Sequence, residues 1–319
     1  MPAPVVVAEV VRSGFVEGHH HGSVVALAAD GTTAWSVGDV AGTVLPRSCN
    51  KPLQALGMVR LGLDLPPELL ALACASHSGE PFHLDGVRRI LALGGLGVDA
   101  LQTPPDHPLD DDAKVAAIRA GEEPSSLAMN CSGKHAAMLL TCVVNGWDTA
   151  TYRSPDHPLQ QAIAASFAKL TGEPVEVTAV DGCGAPLLST SLTGLAHGFR
   201  ELAVATDGPE HRVAEAIRSH PAYVSGTTRD ELRLLTAVPG SIGKAGAEAC
   251  YAVALPDGRA FALKIDDGGT RARPVVMAEA LRRSGVPTDP GVDADALDDT
   301  GRVPVLGAGE PVGEIRAAF

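Results

Sequence analysis

Strand patterns lie at the two ends of this chain and helical patterns fill its middle. That arrangement constrains the fold more than any other feature. Val5 to Val11 reads as a strand. Val24 to Ala28 and Thr33 to Val37 flank Asp30-Gly31, which predicts a hairpin with a type I′ turn. Near the other end, Tyr251 to Leu255 and Arg259 to Ile265 flank Pro256-Asp257-Gly258. Between them, Leu53, Leu56 and Val59 recur at helical spacing, and Leu159, Ile163, Phe167 and Leu170 form one apolar face ended by Gly172. The pattern predicts an α+β fold: an antiparallel sheet made by both termini, with a helical lobe inserted. The expected organisation is a single catalytic unit over 1–319. Its sheet lobe covers about 1–47 and 176–319, and its helical lobe about 48–175.

Aromatic residues make up only 3% of the chain, so its core must be built from Ala, Leu and Val. Few rings also argue against base-stacking recognition of nucleic acid. With 25 basic against 38 acidic residues the net charge is −13, which repels phosphate backbones and anionic membranes. No signal peptide is visible, and the best apolar run, Ala136 to Val144, is too short to span a bilayer. A cytoplasmic location is expected, with the six cysteines reduced. His19-His20-His21 reads as native and exposed. Pro-Asp-His-Pro-Leu occurs at 105–109 and 155–159, and both copies are expected to start helices. The acidic stretch 288–302 reads as a long surface connection.

The strongest chemical candidate is Arg47-Ser48-Cys49-Asn50-Lys51-Pro52. A serine three residues before a lysine at a helix start puts hydroxyl and amine on one face. Such a pair can build an acyl-transfer nucleophile without histidine. The plain alternative is a capping serine beside a solvated lysine. Gly95-Leu96-Gly97 follows a helical run and not a strand, so it reads as a helix-ending turn and not a dinucleotide loop. Ser132-Gly133-Lys134-His135 lacks the first glycine of a P-loop, where Ala128 stands, and its magnesium-binding hydroxyl. Nucleotide binding is excluded.

Asn130-Cys131-Ser132-Gly133-Lys134-His135 and Asp181-Gly182-Cys183-Gly184 supply two thiols and nitrogen donors that could hold zinc, or could be tight turns with buried cysteines. Ser76-His77-Ser78-Gly79-Glu80 offers two hydroxyls and an imidazole, or caps the helix near Phe82 to Leu93. Lys264, before Asp266-Asp267-Gly268-Gly269, faces a cleft or is an ordinary exposed strand lysine.

Taken together and in order, these five segments resemble the Rhizobium etli-type L-asparaginases, the asparaginase II family, over Glu9 to about Arg316. The resemblance implies a serine β-lactamase-like fold, related to penicillin-binding proteins and glutaminases. It implies L-asparaginase activity through a Ser-Lys acyl-enzyme, with Ser48 as nucleophile and Lys51 as base. Ser78 with Lys264 would form a second Ser-Lys pair, with Ser76 as its fallback. Arg47, Ser76, His77, Asp181 and Gly268 would contact substrate. Cys131, Lys134 and Cys183 would hold zinc beside the active centre, with His135 nearby. The expected partner is L-asparagine, with no nucleic acid and no membrane, and the expected assembly is a homodimer. A glutaminase or other amide or β-lactam hydrolase on the same fold is the nearest alternative. A non-catalytic zinc- or thiol-dependent sensor is the alternative of another class. An N-terminal-nucleophile enzyme processed at Gly269-Thr270 is a third.

Overall fold

The computed structural model describes residues 4–319. Strands in chain order are β1 Val5–Arg12, β2 Phe15–Leu27, β3 Thr33–Val37, β4 Thr178–Val180, β5 Pro186–Leu188, β6 Ile242–Ala245, β7 Cys250–Ala254, β8 Ala260–Ile265, β9 Val303–Gly307 and β10 Glu310–Ala317. The fold is α+β, and its strand pairs are antiparallel. The chain divides into two compact units. One holds the N-terminal segment to Cys49, Thr190–Val204 and Arg233–Phe319. The other holds Asn50–Ser189 and Ala205–Leu232.

The first unit is built on a sheet of order β6-β7-β8-β2-β1-β10-β9, with β3 also pairing with β2. N- and C-terminal strands meet directly, since Ala8 to Arg12 of β1 pair with Ala317 to Gly313 of β10. Every residue of β6 and β7 is buried, as is β8 except for Lys264. Burial on both sides of these strands requires cover on both faces, and helices Leu192–Val204 and Ala272–Arg283 pack on the sheet. Small residues at Ala252, Ala254, Ala260 and Ala262 let that cover come close, which suits a core with few rings.

The second unit is helical, apart from the small β4-β5 ribbon. Its centre is the helix Ser132–Asn145, buried from Ser132 through Cys142. A helix apolar all round belongs at the middle of a bundle. Gly133 permits this packing, because a Cβ there would stand 2.6 Å from the Leu72 carbonyl oxygen. Gly57 plays the same part between Lys51–Arg60 and Pro158–Thr171, where a Cβ would meet the Ile163 backbone at 3.1 Å. The latter helix ends on Gly172 at φ 72, the left-handed cap the sequence indicates.

Five local expectations differ from the structure. The first hairpin is not type I′: five residues separate Leu27 from Thr33, and only Gly31 in that loop has positive φ. The first Pro-Asp-His-Pro-Leu copy starts no helix. Asp106 instead bridges to Ser125, and the helix Asp111–Arg119 is capped by Asp110. In the second copy the cap is the His157 ring, which accepts from Leu159 N–H, and not the aspartate. The 288–302 stretch contains the helix Ala294–Thr300, capped by Asp293. Finally, His20 is only 5% exposed, because it points inward from β2 to Asp267, Nδ1 to Oδ2 2.7 Å. No helix among the described residues is long and apolar enough to cross a membrane.

Candidate active site

Arg47–Asn50 forms a 3₁₀ turn that runs straight into the helix Lys51–Arg60, with Pro52 in its first turn. Proline there is cheap because that N–H has no intrahelical partner. Ser48 therefore sits at a helix start, 9% exposed, and Arg47 before it has φ 52. A non-glycine residue held in the left-handed region is strained backbone of the kind that clusters at functional sites.

In the sheet unit, the end of β6 abuts this turn. A Cβ on Gly246 would lie 2.6 Å from the Pro46 carbonyl oxygen, 2.9 Å from Cys49 N and 3.3 Å from Ser48 N. The Cys49 thiol donates to the Lys244 carbonyl at 2.7 Å, which ties the turn to the strand a second time. Lys244 is fully buried on β6, and its Nζ donates to the Ala245 carbonyl at 2.6 Å. Sequence reading missed this lysine. Its signal is a single cation between Gly243 and Gly246 in an otherwise apolar strand.

Lys264 is half-buried on β8 and lines a cavity of about 650 Å³ with Arg47, Ser23, Asp39, Glu248 and Asp266. Its Nζ donates to the Ile265 carbonyl at 2.5 Å. Gly268, at φ 71, lies against Glu248, where a Cβ would come within 2.5 Å of the carboxylate.

In the helical unit, Lys51 is fully buried. Its Nζ donates to the Ala75 carbonyl at 2.5 Å, the Ser76 hydroxyl at 3.0 Å and the Cys131 sulfur at 3.0 Å. Ser76 is thus the hydroxyl that meets this amine. Ser78 turns away, fully buried, and donates to the Ser225 carbonyl at 2.8 Å. Between them His77 accepts from Gly79 N–H through Nδ1, so Nε2 carries the proton and donates to Ser132 Oγ at 2.8 Å. The Ser132 hydroxyl in turn donates to the Leu127 carbonyl at 2.7 Å. Burial first, then His83 and Lys51, hold the His77 pKa well below its ordinary value. Through Nδ1 and Nε2 the ring ties the Ser76–Gly79 turn to Ser132.

Cys131 and Cys183 come together in one buried cluster with Met129 and Ala185. Lys134 Nζ donates to Cys183 Sγ at 3.3 Å, and the Asp181 carboxylate sits 3.7 Å from the same sulfur. A hydrogen bond between the sulfurs, joined by burial, raises the Cys131 pKa well above the usual thiol value. The same bond, with the Lys134 charge, lowers that of Cys183. For Lys134, burial favours the neutral amine, but the Cys183 and Cys131 charges outweigh it and the pKa is raised. His135 Nδ1 meets the Tyr152 hydroxyl at 2.7 Å, and the same ring is hydrogen-bonded to Cys183. Among the described residues, no three His, Cys, Asp or Glu side chains are grouped to hold a metal.

The model of the family described as L-asparaginase II matches residues 8–317. The chain belongs to the L-asparaginase II family. Amide hydrolysis is this family's reaction. A comparison with curated proteins gave no match. Among solved structures, the chain is similar to a β-lactamase from Mycobacterium bovis at 15% identity and TM-score 0.45, covering 82% of this chain and 94% of that one. It is similar to the native form of Mglu at 13% identity and TM-score 0.46, covering 85% of this chain and 66% of that one. It is also similar to the D-alanine carboxypeptidase AmpC from Burkholderia cenocepacia at 15% identity and TM-score 0.39, covering 83% and 93%.

Proposed function

We propose that this member of the family hydrolyses L-asparagine to L-aspartate and ammonia through an acyl-enzyme on Ser48. The observation that carries the reading is Lys51: a fully buried amine one helical turn after Ser48, whose hydrogen-bond partners are a carbonyl, a hydroxyl and a thiol. The Nζ contact with the Ser76 hydroxyl supplies a route by which a proton taken from Ser48 can move on.

In this mechanism Lys51 takes the Ser48 proton as Oγ attacks the side-chain amide carbon. The oxyanion forms where the Ser48 N–H, freed at a helix start, can donate to it. One such donor is worth about 2.7–4 kcal/mol of barrier. The proton returns through Lys51 and the Ser76 hydroxyl, 3.0 Å from Nζ, to the departing nitrogen, and ammonia leaves. Water, deprotonated by the same base, then attacks the aspartyl ester and regenerates Ser48. Ser76 is preferred to Ser78 as the second hydroxyl because of its bond to Lys51. In the sheet unit the second cation is Lys264 on the cavity wall or Lys244 beside the Ser48 turn.

The donor chemistry of Cys131, Lys134 and Cys183 fits zinc: two sulfurs and an amine converge in a buried cluster. Bound there, zinc would supply a fixed positive charge that orients neighbouring groups. Lys134 would have to shed the proton that the neighbouring sulfurs now favour. Six buried cysteines, none of them in a disulfide among the described residues, support a reducing, cytoplasmic setting.

The test is ammonia release from asparagine, glutamine and a chromogenic β-lactam by the wild type and Ser48→Ala. Asparagine should be turned over fastest. The variant should be folded and slowed by several orders of magnitude, roughly 10³-fold or more. A folded Ser48→Ala protein with near-normal turnover would remove Ser48 as nucleophile. Preference for glutamine or the lactam would reassign the substrate.

A further inference from the structure

We infer that Glu248 is the group that selects the substrate's α-ammonium, so that Arg47 and Glu248 together read a free α-amino acid. The inference rests on the amidohydrolase reading above and specifies what its substrate carries. Both residues are held in left-handed backbone, Arg47 at φ 52 and Glu248 at φ 56, and Ala249 after it at φ 48. L-residues adopt that conformation only under constraint from their surroundings. The guanidinium and carboxylate stand 3.6 Å apart, with the Glu248 side chain 60% exposed.

An exposed ion pair of this kind stabilises little and does not account for the strained backbone. Its position does. Arg47 immediately precedes Ser48, and the hairpin that carries Glu248 leaves β6 at Gly246, the residue packed on the Ser48 and Cys49 backbone. Opposite charges are thus presented side by side on the wall of the 650 Å³ cavity, next to the proposed nucleophile. An α-amino acid carries its carboxylate and ammonium on one carbon, which is the complement of this pair. The 3.6 Å separation exceeds a charge-assisted contact of about 2.7–2.9 Å, so the pair is loose and each group can turn its charge to a ligand on the cavity side. Gly268 keeps that side open: any side chain there would strike the Glu248 carboxylate. Of the other acids on the wall, Asp39 already accepts from Gly42 N–H at 2.8 Å, which leaves Asp266 as the competing candidate.

The experiment compares ligands that differ only in the ammonium group. Binding of L-aspartate and of succinate is measured by titration calorimetry, and turnover of L-asparagine and of succinamate by ammonia release. Wild type, Glu248→Gln and Asp266→Asn are used, with folding checked by circular dichroism. A hydrogen bond to a charged group corresponds to roughly 10- to 100-fold. Wild type should therefore favour aspartate over succinate, and asparagine over succinamate, by about that factor. Glu248→Gln should bring both ratios close to one, and Asp266→Asn should keep them. Ratios unchanged in a folded Glu248→Gln protein, or collapsed by Asp266→Asn instead, overturn the assignment. Amide turnover and ligand binding fail separately: selective binding without hydrolysis supports the ammonium site and refutes the amidase reading. Turnover without discrimination between asparagine and succinamate does the reverse.

Discussion

Replacing Gly246 by alanine isolates the contact between β6 and the Ser48 turn. Gly246 does not have positive φ, so alanine meets no backbone penalty there, and the effect is steric. The new Cβ would stand 2.6 Å from the Pro46 oxygen and 2.9 Å from Cys49 N, where an ordinary carbon–oxygen contact is about 3.3–3.6 Å. All the opposing atoms are main chain, so no rotamer change relieves them. Strand and turn must separate by roughly 0.7–1 Å. Overpacking of this size costs about 1–3 kcal/mol of stability, a few degrees in Tm. A displacement near 1 Å at a nucleophile costs about 10²-fold in rate. The expected Gly246→Ala protein is therefore folded, melts slightly lower, and loses about 10²-fold in kcat with a smaller change in KM. Stopped-time ammonia assays and thermal unfolding measure both. Gly240→Ala is the control, since a Cβ there meets only the Pro256 ring, at 2.9 Å, and the positive φ adds strain away from Ser48. It should lose stability and keep kcat. Normal kcat in Gly246→Ala, or an equal loss in both variants, would refute the claim that this contact positions Ser48.

Lys51→Arg should lose about 10³-fold or more in kcat despite its retained charge, because arginine does not give up its proton at working pH; an active Lys51→Arg enzyme would end the Ser-Lys mechanism. The double variant Cys131→Ser, Cys183→Ser should lose zinc that the wild type retains after dialysis, at about one ion per chain by elemental analysis; equal metal in both proteins would show that these thiols do not hold it. Acid should destabilise the fold between pH 6.5 and 4. Burial lowers the His83 pKa to about 4 and holds that of His77 well below its ordinary value. Over that interval the unfolded chain binds more protons, so the stabilisation present above pH 6.5 is lost as pH falls, by about 3 kcal/mol from His83 alone. Urea unfolding at pH 7 and pH 4.5 should show this, with a shallower slope in His83→Phe; an unchanged slope would mean that His83 does not titrate abnormally.

The features legible in the chain were those set by neighbours a few residues apart. The Pro256-Asp257-Gly258 turn located β7 and β8, a β-rich run located β1, and helical spacing located the helices Lys51–Arg60 and Pro158–Thr171, because turn residues and element periods are written into residues a few positions apart. The pairing of Ser48 with Lys51 was readable for the same reason, as one helical turn. Gly172 was readable as a cap because only a residue without a Cβ enters that conformation cheaply. Where two local solutions were equally good, tertiary contacts chose between them. Ser76 and Ser78 are equivalent in sequence, and only the approach of Lys51 to one and of the Ser225 carbonyl to the other separates them. His20 looks like its two neighbours until Asp267, 247 residues away, draws it inward. The first Pro-Asp-His-Pro-Leu copy matches the second, yet a bridge to Ser125 holds it extended while the other leads into a helix. Lys244 and Glu248 acquire meaning only because β6 is packed against the Ser48 turn. Short-range periodicity determines which residues can form an element. Which hydroxyl, carboxylate or amine then meets another depends on packing between segments far apart in the chain, and no local pattern encodes that.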